Sequence, residues 1–349
     1  MSDELFIEKR HIADCTPCFV VAEIGHNHMG DVEICKQLFA AAKYCGCDAV
    51  KLQKRNNKML YTKSFYNKPY HSEHAYGATY GEHREALEFD YERYTELKKY
   101  AKELGIIFFA TAFDYDSADF LEALDMPCFK IASGDLTNTP FIEYVASYGK
   151  PMIISTGGSY MTDVHRAYKT MKDTGTPFAL LHCIASYPNK PEEINLNLIR
   201  KYKELMPDIV IGWSDHYNGI VMAEAAYVMG ARIVEKHFTL DHTWKGSDHA
   251  LSLQPEGMRR LCRDLKRLHV AMGDGMKRFW LSEKDPVHKM GKGVYLSRNV
   301  PVNYQLAEND LVIKSPAAPI KPYDINEVIG KVTLCNLTTA DDLTWEKLK

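Results

Sequence analysis

Eight short apolar runs recur between residues 18 and 239, and a helical pattern follows each one. They are 18–25 (CFVVAEIG), 49–55 (AVKLQKR), 106–113 (IIFFATAF), 128–133 (CFKIAS), 151–157 (PMIISTG), 178–183 (FALLHC), 208–216 (DIVIGWSDH) and 232–239 (RIVEKHFT). Runs that are apolar throughout, rather than alternating, suit parallel strands covered on both faces. The segments between them carry helix punctuation. Residues 32–44 follow Asp31 and end near Gly46, 93–104 stop at Gly105, and 258–272 follow Pro255. Eight β/α units predict a closed (β/α)8 barrel. An open doubly wound sheet is the alternative, but no glycine-rich dinucleotide or P-loop fingerprint follows the first run.

The second and third runs stand about twice as far apart as the others. The extra segment, 56–90, is crowded with Tyr and His and reads as a substrate loop on the catalytic face. After residue 281 the pattern changes. A barrel over 1–281, a polar linker over 282–292 with Pro286 and Gly291, and a small β-rich module over 293–349 are expected. With Lys plus Arg at 43 and Asp plus Glu at 46, the formal charge is −3, so the chain lacks the basic surplus of a nucleic-acid binder. An anionic substrate must then be held by a local cluster. No apolar run approaches membrane-span length, and the first ten residues have no apolar signal core. Nine cysteines, an odd number, argue for reduced thiols and a cytoplasmic address. Cys15-Thr-Pro-Cys18 has no second pair at zinc-ribbon spacing and reads as ordinary thiols; Cys183 reads as a pocket-lining residue.

Polar residues gather at the carboxyl ends of the predicted strands, where barrel enzymes place their chemistry. Glu23 ends the first. Lys51 and Gln53 share a face of the second, and Lys130 precedes Ser133 in the fourth. Ser155, Cys183 and Ser214 follow on later strands, and Glu235 and His237 share a face of the eighth. Two lysines among hydroxyls make a cradle for a phosphate and a carboxylate; ion pairs of these lysines with Glu23 and Glu235 are the alternative. His216 and His237 end adjacent strands and can share one divalent ion, with Asp215 and Glu23 nearby. Such an ion acts as a Lewis acid on a carbonyl.

At these residues the sequence resembles the sialic acid synthase family, which condenses phosphoenolpyruvate with an N-acylated hexosamine. The motifs are AEIGHNH (22–28), VKLQ (50–53), FKIASGD (129–135), ISTGG (154–158), LHC…YP (181–188), GWSDH (212–216), EKHFTLD (235–241) and KGSDHALS (245–252), in family order. The stretches TYGEHREALEF (79–89) and TWKGSDH (243–249) are similar to the animal-type branch, which uses the 6-phosphorylated sugar. The resemblance implies a (β/α)8 TIM barrel followed by an antifreeze-like (SAF) domain, in a homodimer whose SAF domains are swapped between barrels. It implies that Lys51, Lys130, Ser133, Ser155 and Ser214 bind phosphoenolpyruvate, and that Gln53, Tyr187 and Asp248 meet the sugar. His216 and His237 match the ligands of a divalent metal, usually Mn²⁺, with Mg²⁺ or Co²⁺ as alternatives, and Glu23 and His237 match groups at the reacting centre. Two departures stand out. Where the family commonly has Asn, Ser or Thr after the strand-six cysteine, this chain has Cys183-Ile184-Ala185-Ser186, and an arginine of the tail domain is replaced by Lys314-Ser315-Pro316. Plain mannose therefore competes with N-acetylmannosamine as the expected acceptor. A seven- or eight-carbon ulosonate synthase, a metal aldolase without phosphoenolpyruvate, and a non-catalytic sugar- or ice-binding protein are the remaining alternatives. The tail domain, the lysine pair, and Glu23 with the two histidines argue against them in that order.

Overall fold

The structure is a computed structural model that describes residues 3–349. Met1 and Ser2, at the head of the segment expected to lack a signal core, lie outside the described residues. The chain divides into two compact units, 1–273 and 274–349.

The first unit opens with a hairpin of β1 (Leu5–Ile7) and β2 (Arg10–Ile12). Eight parallel strands follow: β3 (Phe19–Gly25), β4 (Ala49–Lys54), β5 (Ile107–Ala112), β6 (Phe129–Ile131), β7 (Met152–Ser155), β8 (Phe178–Cys183), β9 (Val210–Asp215) and β10 (Ile233–His237). They pair in sequence order, and β10 closes on β3, so the barrel is complete. Each strand falls inside one of the eight predicted runs. The first crossover helix, Val32–Cys45, shows why its sequence stops where it does. Asp31 accepts from the N–H groups of Glu33 and Ile34, and Gly46 takes the left-handed conformation at φ +92°. The helix predicted over 93–104 spans Tyr91–Leu104 and is capped by Asp90; the one predicted over 258–272 spans Pro255–Ala271. The segment read as a loop, 56–90, contains three short helices, Asn57–Leu60, Lys63–Tyr66 and Tyr80–Glu85, the last held by a Thr79/Glu82 capping box.

Inside the barrel the layers differ in chemistry. The lower layer is apolar: Phe19, Val21, Ala49, Phe109, Cys128, Ile153, Ala179, Leu181, Val210 and Ile233 pack together. Leu5, Ile7 and Ile12 of the hairpin join that cluster and close the amino-terminal end. Full burial of each large apolar chain here contributes about 1.5–3 kcal/mol. The upper layer is polar, and the register builds it: Glu23 lies beside both Lys51 and His237, Thr111 beside Lys130, and Ser214 beside Cys183 and Glu235. A second apolar layer, including Leu38, Phe39, Leu97, Phe141 and Trp213, fills the space between strands and helices.

The second unit is a small module around Val294, Leu296, Val300, Leu306, Ile320 and Val328. Its regular β content is one hairpin of β11 (Gly293–Leu296) and β12 (Leu311–Lys314), with isolated bridges elsewhere. The segment expected to be a linker is helical over Lys284–Met290, and the unit begins at Asp274, earlier than the sequence suggested. All nine cysteines are free, and no helix among the described residues is long and apolar enough to cross a membrane.

Candidate active site

The polar upper layer opens into a cavity of about 600 Å³ at the carboxyl ends of the strands. Glu23, Lys51, Gln53, Lys130, Ser133, Ser155, Tyr187, Ser214, His216, His237 and Asp248 all line it. Strand alternation brings them there: residues 51 and 53, 214 and 216, and 235 and 237 point inward, while Asp215 and Lys236 point outward.

The two lysines differ in how they are held. Lys51 Nζ lies 2.8 Å from Glu23 Oε2 and 3.7 Å from Glu235 Oε1, and donates to Thr111 Oγ1 at 2.8 Å. Burial works against its charge, but the two carboxylates outweigh it and raise its pKa. The ion-pair alternative therefore describes Lys51. Lys130 Nζ donates to Ser155 Oγ at 2.6 Å and to the Ile131 carbonyl at 2.8 Å, and makes no ion pair among the described residues. Burial, with Lys51 close by, pushes its pKa below the ordinary lysine value against the pull of Glu235. An under-compensated buried ammonium is a ready seat for an anion. Ser214 donates to Glu235 at 3.1 Å, and burial is outweighed at Glu235 by Lys51 and Lys130, which hold its carboxyl below the usual value. Ser133 accepts from the Gly157 N–H at 2.9 Å; a Cβ at Gly157 would strike this hydroxyl at 2.8 Å.

Glu23 also accepts from Gln53 Nε2 at 2.6 Å. Gly25, at φ +54°, lets the chain turn away here. A Cβ on it would lie 3.2 Å from Glu23 Oε1, 3.3 Å from Gln53 Nε2 and 3.6 Å from Asp248 Oδ2. These three side chains thus converge on one point of the mouth.

The imidazoles of His216 and His237 are 5.4 Å apart between centroids. His216 Nδ1 donates to the Ile184 carbonyl at 2.8 Å, which leaves Nε2 with a free lone pair. Burial, followed by the neighbouring His237, depresses its pKa to about 3, so the ring is neutral. His237 Nδ1 is buried without a hydrogen-bond partner, and Asp248 Oδ2 stands 4.0 Å away. Two imidazole nitrogens with one side open to the cavity fit a divalent ion that completes its shell with water and substrate oxygen. Among the described residues no group of three His, Cys, Asp or Glu side chains gathers into a single coordination sphere. The Tyr187 ring leans on His216 at 4.0 Å.

One expectation needs correction. Asp215 is no neighbour of a metal ion: fully buried, it pairs with Lys236 at 2.9 Å on the outward face of the strands. Ser186 does not stand in for the Asn, Ser or Thr absent after Cys183, because its carbonyl and hydroxyl are held by Asn189 Nδ2 while Ala185 lines the cavity. His28, within the first motif, is structural: buried, stacked on Phe89 at 4.2 Å and accepting from Gly30 N–H. Thr111, Arg55, Tyr70, Tyr80 and Arg84 also line the cavity and were not singled out. Thr111 was legible as the lone hydroxyl in an apolar run, and Arg55 as the next inward position after Gln53. Nothing local announced Arg84.

The NeuB family model matches residues 38–277, and the SAF domain model matches 291–349. The chain is 39% identical over 333 residues to the N-acetylneuraminate-9-phosphate synthase of Homo sapiens, covering 95% of this chain and 92% of that protein. It is 34% identical over 338 residues to the N,N'-diacetyllegionaminic acid synthase of Legionella pneumophila, covering 95% of each. Among solved structures, the N-acetylneuraminic acid synthetase of Leptospira borgpetersenii, in complex with citrate, superposes with a TM-score of 0.72 at 29% identity, over 82% of this chain and 96% of that one. A closed barrel with this polar mouth, a SAF domain later in the chain and relatives of this kind place the chain in the NeuB family, the sialic and nonulosonic acid synthases, enzymes that condense phosphoenolpyruvate with a sugar.

Proposed function

We propose that the enzyme joins phosphoenolpyruvate to N-acetylmannosamine or its 6-phosphate, giving N-acetylneuraminate or its 9-phosphate and inorganic phosphate, with a divalent ion held by His216 and His237. The observation that carries this is the under-compensated Lys130 ammonium, set beside Ser155 in the same cavity as the imidazoles of His216 and His237. Lys130, Lys51 and the hydroxyls of Ser133, Ser155 and Ser214 hold the phosphate and carboxylate. Gln53, Asp248 and Tyr187 orient the open-chain sugar so that its aldehyde carbon meets C3 of the enol ester. A bound metal, Mn²⁺ with Mg²⁺ or Co²⁺ as alternatives, would supply Lewis-acid polarisation of the aldehyde oxygen. The C–C bond then forms, and C2 is left electron-poor. Glu23, fixed between Lys51 and Gln53, directs a water to C2 and takes its proton. The aldehyde oxygen takes up a proton to become the new hydroxyl, and the C2 hydroxyl gives up its own as it becomes the ketone, breaking the C2–O bond so that phosphate leaves with the oxygen.

Phosphate release from phosphoenolpyruvate, measured with Mn²⁺ and each of N-acetylmannosamine, mannose and their 6-phosphates, tests this. Release with none of the four overturns the reading, and release that survives EDTA overturns the metal's part in it. Plain mannose, giving the deaminated nine-carbon acid, is favoured as a second reading by Lys314-Ser315-Pro316, where the resemblance leads one to expect a tail-domain arginine and this chain has none. A homodimer with exchanged SAF domains and a cytoplasmic address complete the proposal. The free thiols support a reducing compartment, and equilibrium sedimentation tests the dimer.

A further inference from the structure

On the outward face of the barrel strands, the layer against the helices is apolar: Val50, Leu52, Ala110, Ile154, Leu180 and Val234 are all fully buried there. Asp215 and Lys236 depart from that pattern. They stand opposite each other where β9 pairs with β10, both side chains wholly buried, with Lys236 Nζ 2.9 Å from Asp215 Oδ2. Burying two ions is unfavourable, and their attraction offsets this only when the geometry is good and further hydrogen bonds complete it. Here those further bonds go to one residue. Asp215 Oδ1 accepts from the Tyr217 N–H at 2.8 Å, and Lys236 Nζ donates to the Tyr217 carbonyl. Asp215 on one flank of His216 is thus tied to Tyr217 on the other, and both are tied to β10.

His216 needs such a grip. The ladder between β9 and β10 ends at the Asp215–Lys236 position, and the ladder between β8 and β9 ends at Ser214. His216 lies past both, so the barrel ladder does not fix its backbone. Its carbonyl accepts from the Asn189 N–H at 3.2 Å, and its Nδ1 bond to the Ile184 carbonyl at 2.8 Å turns the ring without placing the chain against β10. His237 differs. It is the last residue of β10, it pairs with Glu23 of β3, and its carbonyl accepts from the Leu253 N–H at 2.8 Å. One imidazole rides on the ladder, and the other hangs one residue beyond it. The two strands are stapled one residue back from each ring, and the ring centroids are 5.4 Å apart.

We infer that Asp215 and Lys236 are positioning residues for the two imidazoles: an ion pair behind the barrel wall holds His216 in place against His237 and so sets the affinity of that pair for a divalent ion. The inference rests on the synthase reading, with its ion at His216 and His237, and deepens it. Neither Asp215 nor Lys236 lines the cavity, so neither touches substrate. Partners outside the coordination shell orient a ligand without meeting the ion. Without the pair, the turn at 216–217 keeps its bonds to Ile184 and Asn189 but loses its tie to β10.

Titration of the metal-free full chain with Mn²⁺, followed by the electron paramagnetic resonance signal of the free ion, tests it. The wild type should bind one ion that His216→Ala does not bind. Breaking a buried ion pair destabilises a fold, whereas replacing both partners by apolar chains is often neutral. Lys236→Met should therefore melt well below wild type, and the double variant Asp215→Leu with Lys236→Met should recover much of that loss. Affinity should not follow stability: both should bind Mn²⁺ about ten- to hundredfold more weakly than wild type. Asp215→Asn keeps an acceptor for the Tyr217 N–H and should lie between them and wild type; it decides should the other two not fold. In phosphate release, the apparent constant for Mn²⁺ should rise by the same factor. The constant for phosphoenolpyruvate at saturating Mn²⁺, which the lysine cradle sets, should not. Wild-type affinity for Mn²⁺ in these variants, or equal losses for Mn²⁺ and phosphoenolpyruvate, overturns the inference and leaves the metal reading standing. A wild type that binds no Mn²⁺, or binds it no better than His216→Ala, overturns both. Binding that depends on His216 and on the ion pair, without phosphate release from phosphoenolpyruvate, upholds the inference and removes the synthase reading.

Discussion

The two lysines of the cavity give a prediction whose sign differs between neighbours. Lys51 faces Glu23 at 2.8 Å and Glu235 at 3.7 Å, whereas Lys130 donates to a hydroxyl and a carbonyl and feels Glu235 only from beyond ion-pair distance. Lys51→Met strands two carboxylates in the barrel, and breaking a buried pair costs about 3–5 kcal/mol. Lys130→Met removes an ammonium whose desolvation, several kcal/mol, is only partly offset by two hydrogen bonds of about 1.5–3 kcal/mol each. The net change lies near zero. At about 2–4 °C per kcal/mol, Lys51→Met should melt roughly 6–20 °C below wild type, while Lys130→Met should melt within a few degrees of it. Function should invert the ranking of cost. Losing one charge-assisted contact to phosphoenolpyruvate, about 1.5–3 kcal/mol, should raise its apparent constant in Lys130→Met by about 10- to 150-fold. The thermal shift that phosphoenolpyruvate confers on wild type should fade in the same variant. Differential scanning fluorimetry and steady-state phosphate release supply both numbers. An unchanged constant for phosphoenolpyruvate, or equal destabilisation by the two substitutions, would refute the reasoning.

Other outcomes follow from single features. His216→Ala and His237→Ala should each abolish phosphate release while circular dichroism stays native; full residual turnover in either would remove the ligand assignment. Gly25→Ala forces a left-handed backbone on a residue with a Cβ, costing about 1–2 kcal/mol, and pushes that Cβ toward Glu23 and Gln53. A tenfold or greater fall in kcat is expected, and wild-type turnover would show that the convergence at Glu23 does not matter. His28 is buried neutral, with a pKa lowered to about 3 by burial. Above about pH 6.5 its folded and unfolded forms are both uncharged, and its stability contribution is complete. As pH falls from there toward 3 only the unfolded chain gains the proton, so stability declines, by about 2 kcal/mol at pH 5. Urea melts at pH 7 and pH 5 should differ by that much less in His28→Gln, and an unaltered difference would contradict the linkage.

How much of this was legible in the sequence depends on the range of the interaction. The eight strands were legible because each is a continuous apolar run ended by polar residues. The face shared by Lys51 and Gln53 followed from alternation alone. The same alternation, carried one step further, reaches Arg55, and applied to Ser214 and Glu235 it would have turned Asp215 outward onto Lys236. The early start of the second unit, at Asp274, was hidden because 274–281 read as the end of the barrel and only 282–292 read as a linker. Arg84 was not legible. Its place depends on how the helix Tyr80–Glu85 folds back over the mouth, which no periodicity encodes. The split between the two lysines was also invisible, since composition cannot say which ammonium meets a carboxylate.

The spacing on β4 has a consequence for how such an enzyme can vary. Lys51, Gln53 and Arg55 stand two residues apart, like graduations on a ruler laid across the mouth, and their phase is locked by the ladder that pairs Lys51 with Glu23 and Phe109. Substituting one mark retunes one contact. Inserting a single residue upstream within the strand would swing all three out and present Val50, Leu52 and Lys54 instead. Drift in this lineage is therefore free to resize the excursion beyond Arg55, but indels within those few positions should be lethal to turnover while sparing the solubility of the chain.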